Sequence, residues 1–180
     1  MRSRRRRHQF LVTAVVVIAL AACSPGPSLP AGVAEATGAA PAMGGSTLDG
    51  GEAPSLDGHV LVVNFWNPYC APCRVEAPVL EAASKRLADR GVTVLGVHYT
   101  GEQWPKSVPD ALSFVRAAHL TYPVLPDDGA RIATAFGIRG IPSTVIVDES
   151  GEMRFRVLGP LRRQVLDDLV DEVLGRRATP

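Results

Sequence analysis

The 180-residue chain is 46% hydrophobic and 21% charged, the composition of a globular protein with room for one full core. Its formal charge of +1 joins unlike parts: five of the nineteen basic residues lie between Arg2 and Arg7, and the rest of the chain carries fourteen basic against eighteen acidic residues. That excludes a basic nucleic-acid surface, and three cysteines with four scattered histidines supply neither a second Cys-x-x-Cys nor a His-x3-5-His for a zinc site.

In chain order, Arg2, Arg4, Arg5, Arg6 and Arg7 precede a thirteen-residue apolar run, Phe10 to Ala22, broken only by Thr13. The run is shorter than a membrane span of about twenty residues and reads as a signal peptide over 1–22. It ends at Leu20-Ala21-Ala22-Cys23, which resembles a bacterial lipobox, cleaved before a cysteine that then carries lipid on its sulfur. A plain signal peptide, or an N-terminal anchor with a chance cysteine, is the competing reading. Lipidation of Cys23 would leave Cys70 and Cys73 as the remaining pair, outside the cytoplasmic membrane, where disulfides persist. Residues 23–46 read as a flexible tether, because Ser24 to Ser46 contains eighteen Ala, Gly, Pro or Ser residues in twenty-three. Such a segment buries too little apolar surface to offset its chain entropy.

A domain over 47–180 follows with an α/β pattern. Val60 to Phe65 is nearly all apolar and β-branched, which suits a strand covered on both faces. The helix predicted from Cys73 to Asp89 carries Val75, Val79, Ala83 and Leu87 as its buried stripe and ends at Gly91. Val92 to Tyr99 is a second buried strand; a helix near Asp110 to His119 and a short strand at Tyr122 to Leu125 come next, with Pro123 favouring an edge. After a short helix, Ala130 to Phe136, the strand Thr144 to Val147 turns through Glu149-Ser150-Gly151 into Met153, Phe155 and Val157, which alternate with Arg154 and Arg156. That alternation predicts an antiparallel hairpin with one polar side. The last helix, Leu161 to Leu174, has apolar residues at helical spacing.

The chemistry centres on Cys70 and Cys73. A cysteine just before a helix faces unpaired backbone N–H groups and the positive end of the dipole, both of which lower its pKa, so Cys70 is the expected nucleophile. Cys73, one turn in, is the expected resolving thiol. Pro72 suits the first turn, where its missing N–H costs nothing. A purely structural disulfide is disfavoured, because a four-residue loop constrains the unfolded chain very little. Glu76 shares a helix face with Cys73 and is the candidate proton acceptor, with complementing the helix dipole as its simpler role.

Three stretches carry a resemblance: Val63-Asn64-Phe65-Trp66, then Cys70-Ala-Pro-Cys73 followed by Arg74-Val75-Glu76-Ala77-Pro78, and Gly137-Ile138-Arg139-Gly140-Ile141-Pro142-Ser143. Over roughly Leu56 to Leu174 the chain resembles the thioredoxin superfamily, and within it the membrane-anchored, extracytoplasmic thiol-disulfide proteins of the TlpA/ResA type. The resemblance implies a thioredoxin-like fold: a central mixed β-sheet, parallel first and closed by the antiparallel hairpin, with helices on both faces and one extra helix-strand insertion. It also implies a cis bond at Pro142, packed opposite the active cysteine, and a backbone contact from Ile141 to an extended substrate. Trp66 and Tyr69 are expected to border the cysteines as docking surface, although Tyr69 stands where the family usually has tryptophan. The activity implied is thiol-disulfide exchange without a cofactor, as a reductant of protein substrates such as apocytochrome c, recharged by a membrane thiol-disulfide transporter. The alternatives are an extracellular oxidase, a thiol peroxidase, disfavoured by Asn67 where such sites place Thr, and a redox-inactive binding lipoprotein.

Overall fold

The structure, a computed structural model, describes residues 29–175. The signal peptide, Cys23 and the first residues of the expected tether lie outside them. Six strands, β1 (Val33–Glu35), β2 (Val60–Trp66), β3 (Val92–Tyr99), β4 (Val124–Asp127), β5 (Ser143–Val147) and β6 (Met153–Leu158), form one sheet in the order β1-β6-β5-β2-β3-β4. Strands β2, β3 and β4 are parallel, whereas β5, β6 and β1 each run antiparallel to the neighbour before them. The central strand β2 is buried along all seven residues, as its apolar sequence, interrupted at Asn64, suggests.

Four helices cover the sheet: α1 (Ala71–Leu87), α2 (Val108–Ala117), α3 (Arg131–Ala135) and α4 (Arg163–Val173). One core joins Val60, Val62 and Ile146 to Leu80 and Leu87 of α1, Ala111 of α2 and Leu166, Leu169 and Val170 of α4. The other packs Val63, Phe65 and Val145 against Ala133 and Phe136 at α3. Alternate residues of β2 thus feed opposite cores, and helices lie on both faces. Strand β4 is the sheet's edge, as Pro123 suggested, and starts two residues later than its composition implied. Gly91 ends the α1 region with φ 74°, a left-handed conformation that glycine adopts without steric cost.

Two expectations are corrected. The stripe assigned to α1 is wrong at its N-terminal end: Val75 is 73% exposed, and the buried residues are Cys73, Glu76, Ala77, Leu80, Glu81, Ala83 and Leu87. Residues spaced uniformly by four drift about 40° per step around a helix, so 75-79-83-87 winds out of the core while 76-80-83-87 stays on one face. The second correction concerns the tether. Residues 29–46 include β1, and Ala39 forms a further bridge to Glu152. Backbone bonds hold this segment: Leu158 N–H donates to Gly32 O (2.8 Å), Ala36 N–H to Arg154 O (2.9 Å) and Met153 N–H to Gly38 O (2.9 Å). Edge pairing of this kind needs no large side chains, so small-residue composition did not reveal it.

Gly32 makes this pairing possible. Its φ is 82°, and a Cβ there would lie 2.7 Å from Leu158 O. Gly32→Ala is expected to destabilise the domain by about 1–3 kcal/mol through left-handed strain and the clash, seen as a lower urea midpoint at unchanged slope. An unchanged midpoint would mean that β1 contributes nothing to the folded state.

Candidate active site

Beyond Trp66 the chain turns through Asn67-Pro68-Tyr69, and α1 begins at Ala71 with Cys70 as its N-cap. Asn67, fully buried, shapes the turn. Its side-chain oxygen accepts from Tyr69 N–H (3.1 Å), and its amide donates to Tyr99 O (2.9 Å) and Pro105 O (3.0 Å). Cys70 and Cys73 form a disulfide, each residue only 2% exposed. Cys70 Sγ accepts from Cys73 N–H at 3.3 Å. The sulfur of Cys70 therefore occupies the place of a helix-capping oxygen, where backbone donors and the dipole would stabilise negative charge once the bond is reduced.

Glu76 lies one turn beyond Cys73, on the buried face of α1 and 2% exposed. Its Oε1 accepts from Asn64 Nδ2 (2.8 Å) and its Oε2 from Leu161 N–H (2.7 Å). Asn64 Nδ2 also donates to Thr144 Oγ1 at 3.1 Å. Burial raises the Glu76 pKa from an ordinary 4.5 to about 7, and the two hydrogen bonds oppose the shift without cancelling it. The residue sits past the first turn and points into the protein, so complementing the helix dipole is not its role. The carboxyl group can hold or release a proton near neutral pH, one turn from a cysteine of the pair.

The Ile141–Pro142 peptide bond is cis. Strand register sets Ser143 opposite Phe65, which brings Pro142 level with the end of β2 that leads to Cys70. Ile141 is half-buried and so keeps part of its surface at this end of the sheet. Tyr69, next to Cys70 in the chain, is 56% exposed. Trp66 does not form the expected docking surface: at 2% exposure it lies beneath the site, its ring 5.0 Å from that of Phe114 and 5.7 Å from that of His98. As the last residue of a strand covered on both faces it joins the core, and the exposed apolar residue beside the cysteines is instead Val75.

Sequence reasoning missed three contributors. Thr144 anchors Asn64, the Leu161 backbone anchors Glu76, and Asp110 at the start of α2 accepts a 2.5 Å hydrogen bond from the Tyr69 hydroxyl. The one local pointer to them was Asn64, partner of Thr144 and Glu76 and a polar residue inside an apolar strand. All three contributors depend on contacts between 41 and 85 residues apart in the chain.

The AhpC/TSA family profile matches residues 38–156. The chain belongs to that family. It is 35% identical over 136 residues to the thiol:disulfide interchange protein HelX of Rhodobacter capsulatus, covering 72% of each chain. It is 28% identical to the thiol-disulfide oxidoreductase ResA of Halalkalibacterium halodurans, over 67% of this chain and 65% of that one. The fold matches the crystal structure of a thioredoxin-family thiol:disulfide interchange protein from Chlorobium tepidum with a TM-score of 0.68 at 29% identity, covering 77% of this chain and 97% of that one. The thioredoxin-like fold and thiol-disulfide oxidoreductase activity implied by the sequence resemblance hold, and the Cys70–Cys73 pair is the redox centre of this family member.

Glu76 also links stability to pH. Its proton is held more tightly in the folded than in the unfolded chain, so its contribution to stability is fully present below about pH 4.5 and is lost as pH rises through about 7. Unfolding of the oxidised protein is expected to lose about 3 kcal/mol across that window from this group. Glu76→Gln should remove that component, giving a flatter profile of unfolding free energy between pH 5 and pH 8. Parallel profiles for the two proteins would refute the raised pKa.

Proposed function

We propose that this oxidoreductase works outside the cytoplasmic membrane, held there by lipid on Cys23, as a reductant of disulfides in protein substrates. One observation carries the catalytic part: a carboxyl group that titrates near neutrality lies on the buried face of α1, one turn beyond Cys73. The Cys70 thiolate attacks a substrate disulfide, forming a mixed disulfide and expelling one substrate thiolate. Cys73 gives its proton to Glu76 and attacks Cys70 Sγ, which releases the second substrate thiolate and closes the Cys70–Cys73 disulfide. Two electrons have passed to the substrate, and a membrane thiol-disulfide transporter returns them from the cytoplasmic side.

The cis-Pro142 segment is the substrate platform. Ile141 offers its backbone N–H and C=O to an extended segment as an added strand, a contact that reads little sequence. Tyr69 and Val75 supply exposed apolar surface beside it. The Ala71-Pro72 dipeptide between the cysteines and Ile141 before the proline are thioredoxin-like, which favours reduction over oxidation. Apocytochrome c, whose haem-binding motif is itself a Cys-x-x-Cys pair, is the first substrate to test. A peroxidatic role is disfavoured, because Asn67, where a thiol peroxidase has threonine, is committed to the turn by three hydrogen bonds.

Cys73→Ala should freeze mixed disulfides on Cys70 in cells, and recovery of apocytochrome c identifies the reductant. A broad spread of secreted proteins would instead indicate an oxidase, and empty traps would defeat both readings. In purified protein, Glu76→Gln should slow disulfide exchange near pH 7 by a factor on the order of a hundredfold and restore it at alkaline pH. An unaltered pH profile would remove Glu76 from proton transfer.

A further inference from the structure

The register of β1 carries an inference about how the domain sits on the membrane. Because β2 ends at Cys70, β5 begins at Ser143 beside the same end, β6 runs back to Leu158 opposite Ser143, and β1 pairs Val33 with Val157. The chain therefore enters the sheet at the end that holds the redox site, three strands away, or about 14 Å across. The junction is fastened there: Leu158 N–H donates to Gly32 O (2.8 Å), Gly159 N–H to Pro142 O (2.9 Å) and Leu161 N–H to Glu76 (2.7 Å). One loop, 158–162, thus touches the incoming chain, the cis-proline and the buried carboxyl group.

The surface of this rim is distinctive. Leu158 is 64% exposed, and Arg162 and Arg163 project from the start of α4. Arg163 has only a 3.5 Å contact to Asp167, a carboxylate already paired with Arg86 at 2.7 Å. Between the rim and the incoming chain lies a cavity of about 280 Å³, lined by Pro30, Val33, Leu158, Pro160, Leu161 and Arg162 among others. An exposed apolar side chain flanked by arginines matches the boundary of an anionic lipid layer, where charge faces phosphate and the aliphatic group enters the headgroups.

Covalent geometry limits the alternatives. Six residue steps separate Cys23 from Leu29, at most about 20 Å of fully extended chain. A domain of this size is roughly 40 Å across, so the end at which the chain enters stays nearest the bilayer. We propose that the rim formed by Leu158, Arg162 and Arg163 is a membrane-contact surface that seats on anionic phospholipid headgroups and turns the Cys70–Cys73 site toward the bilayer. The inference rests on the lipidated-Cys23 reading. Its redox partner must then present thiols close to the membrane surface.

The test uses the full lipidated chain, kept oxidised so that Cys70 and Cys73 do not react with labels. A fluorophore is placed on Gln164→Cys, beside the rim, or on Glu149→Cys, in the exposed turn at the other end of the sheet. The proteins are reconstituted in phosphatidylcholine vesicles containing phosphatidylglycerol and a headgroup-attached quencher. The short tether by itself makes quenching stronger at 164 than at 149; rim contact is expected to raise that ratio several-fold further when phosphatidylglycerol is present, and this increase is lost in pure phosphatidylcholine or when Arg162→Glu and Arg163→Glu are combined. A ratio that stays the same for an acylated, vesicle-bound chain without phosphatidylglycerol and with both arginines reversed overturns this inference alone and leaves the rim to a protein partner. A chain whose Cys23 carries no acyl group, shown by mass spectrometry, overturns the anchoring reading and this one with it.

Discussion

A carboxyl group taken out of water must either stay protonated or be given donors for its charge, and in this fold Glu76 is given too few to ionise readily. It receives two neutral donors, the Asn64 amide from β2 and the Leu161 backbone before α4, and its pKa remains near 7. Glu81, five residues along the same helix, shows the other solution. Burial would raise its pKa too, but Lys85 at 2.7 Å and two hydrogen bonds from Thr121 outweigh it and hold the group below its ordinary value. The same helix thus carries one carboxylate fixed as an anion and one poised to exchange a proton. Because the poised one bridges β2, α1 and the segment leading into α4, the packing of three elements depends on the group that serves the chemistry.

The turn bearing Cys70 is held just as firmly from the opposite side. Asn67 bonds to Tyr99 and Pro105, Tyr69 to Asp110, and the Arg74 guanidinium lies 5.8 Å from the centre of the Phe114 ring, whose own face meets Trp66. Every one of these partners except Tyr99 belongs to the segment between β3 and β4. The extra helix is therefore a brace for the redox turn. Gly96 supports the arrangement on β3, since a Cβ there would come within 3.0 Å of the Trp66 indole nitrogen and of a Val124 methyl. The space a side chain would occupy is taken by the tryptophan that underlies the disulfide.

What could be read from the sequence was what is encoded locally. Buried strands β2 and β3 are predominantly apolar runs, the helix cap at Cys70 follows from Pro72 and the cysteine spacing, and the cis bond at Pro142 followed from the motif that contains it. Errors arose where long-range pairing or rotation decided the outcome. Val75 looked buried because a spacing of four resembles a helical stripe over one turn and departs from it over three. Trp66 looked like docking surface because it is near Cys70 in the chain, although strand geometry turns it inward. Strand β1 was invisible because its partners are about 120 residues away and its bonds are all backbone. Small residues suit a loose tether and an edge strand equally well.

That edge strand resolves two structural demands at once. Without it, β6 would present unpaired backbone groups along its outer side, an invitation to strand addition by another chain. Pairing β1 there closes the edge. Of the β1 residues Val33 packs against the main core, and the strand also fixes the direction from which the polypeptide arrives. An even number of antiparallel reversals separates β1 from β5, so β1 runs the same way as β5 and starts at the same end as the cis-proline. Had the N-terminal segment added to the β4 edge with the parallel direction of β2 and β3, it would have entered at the opposite end from the disulfide. The number of strand reversals between the cysteines and the N-terminal segment therefore determines which end of the domain the preceding chain can hold.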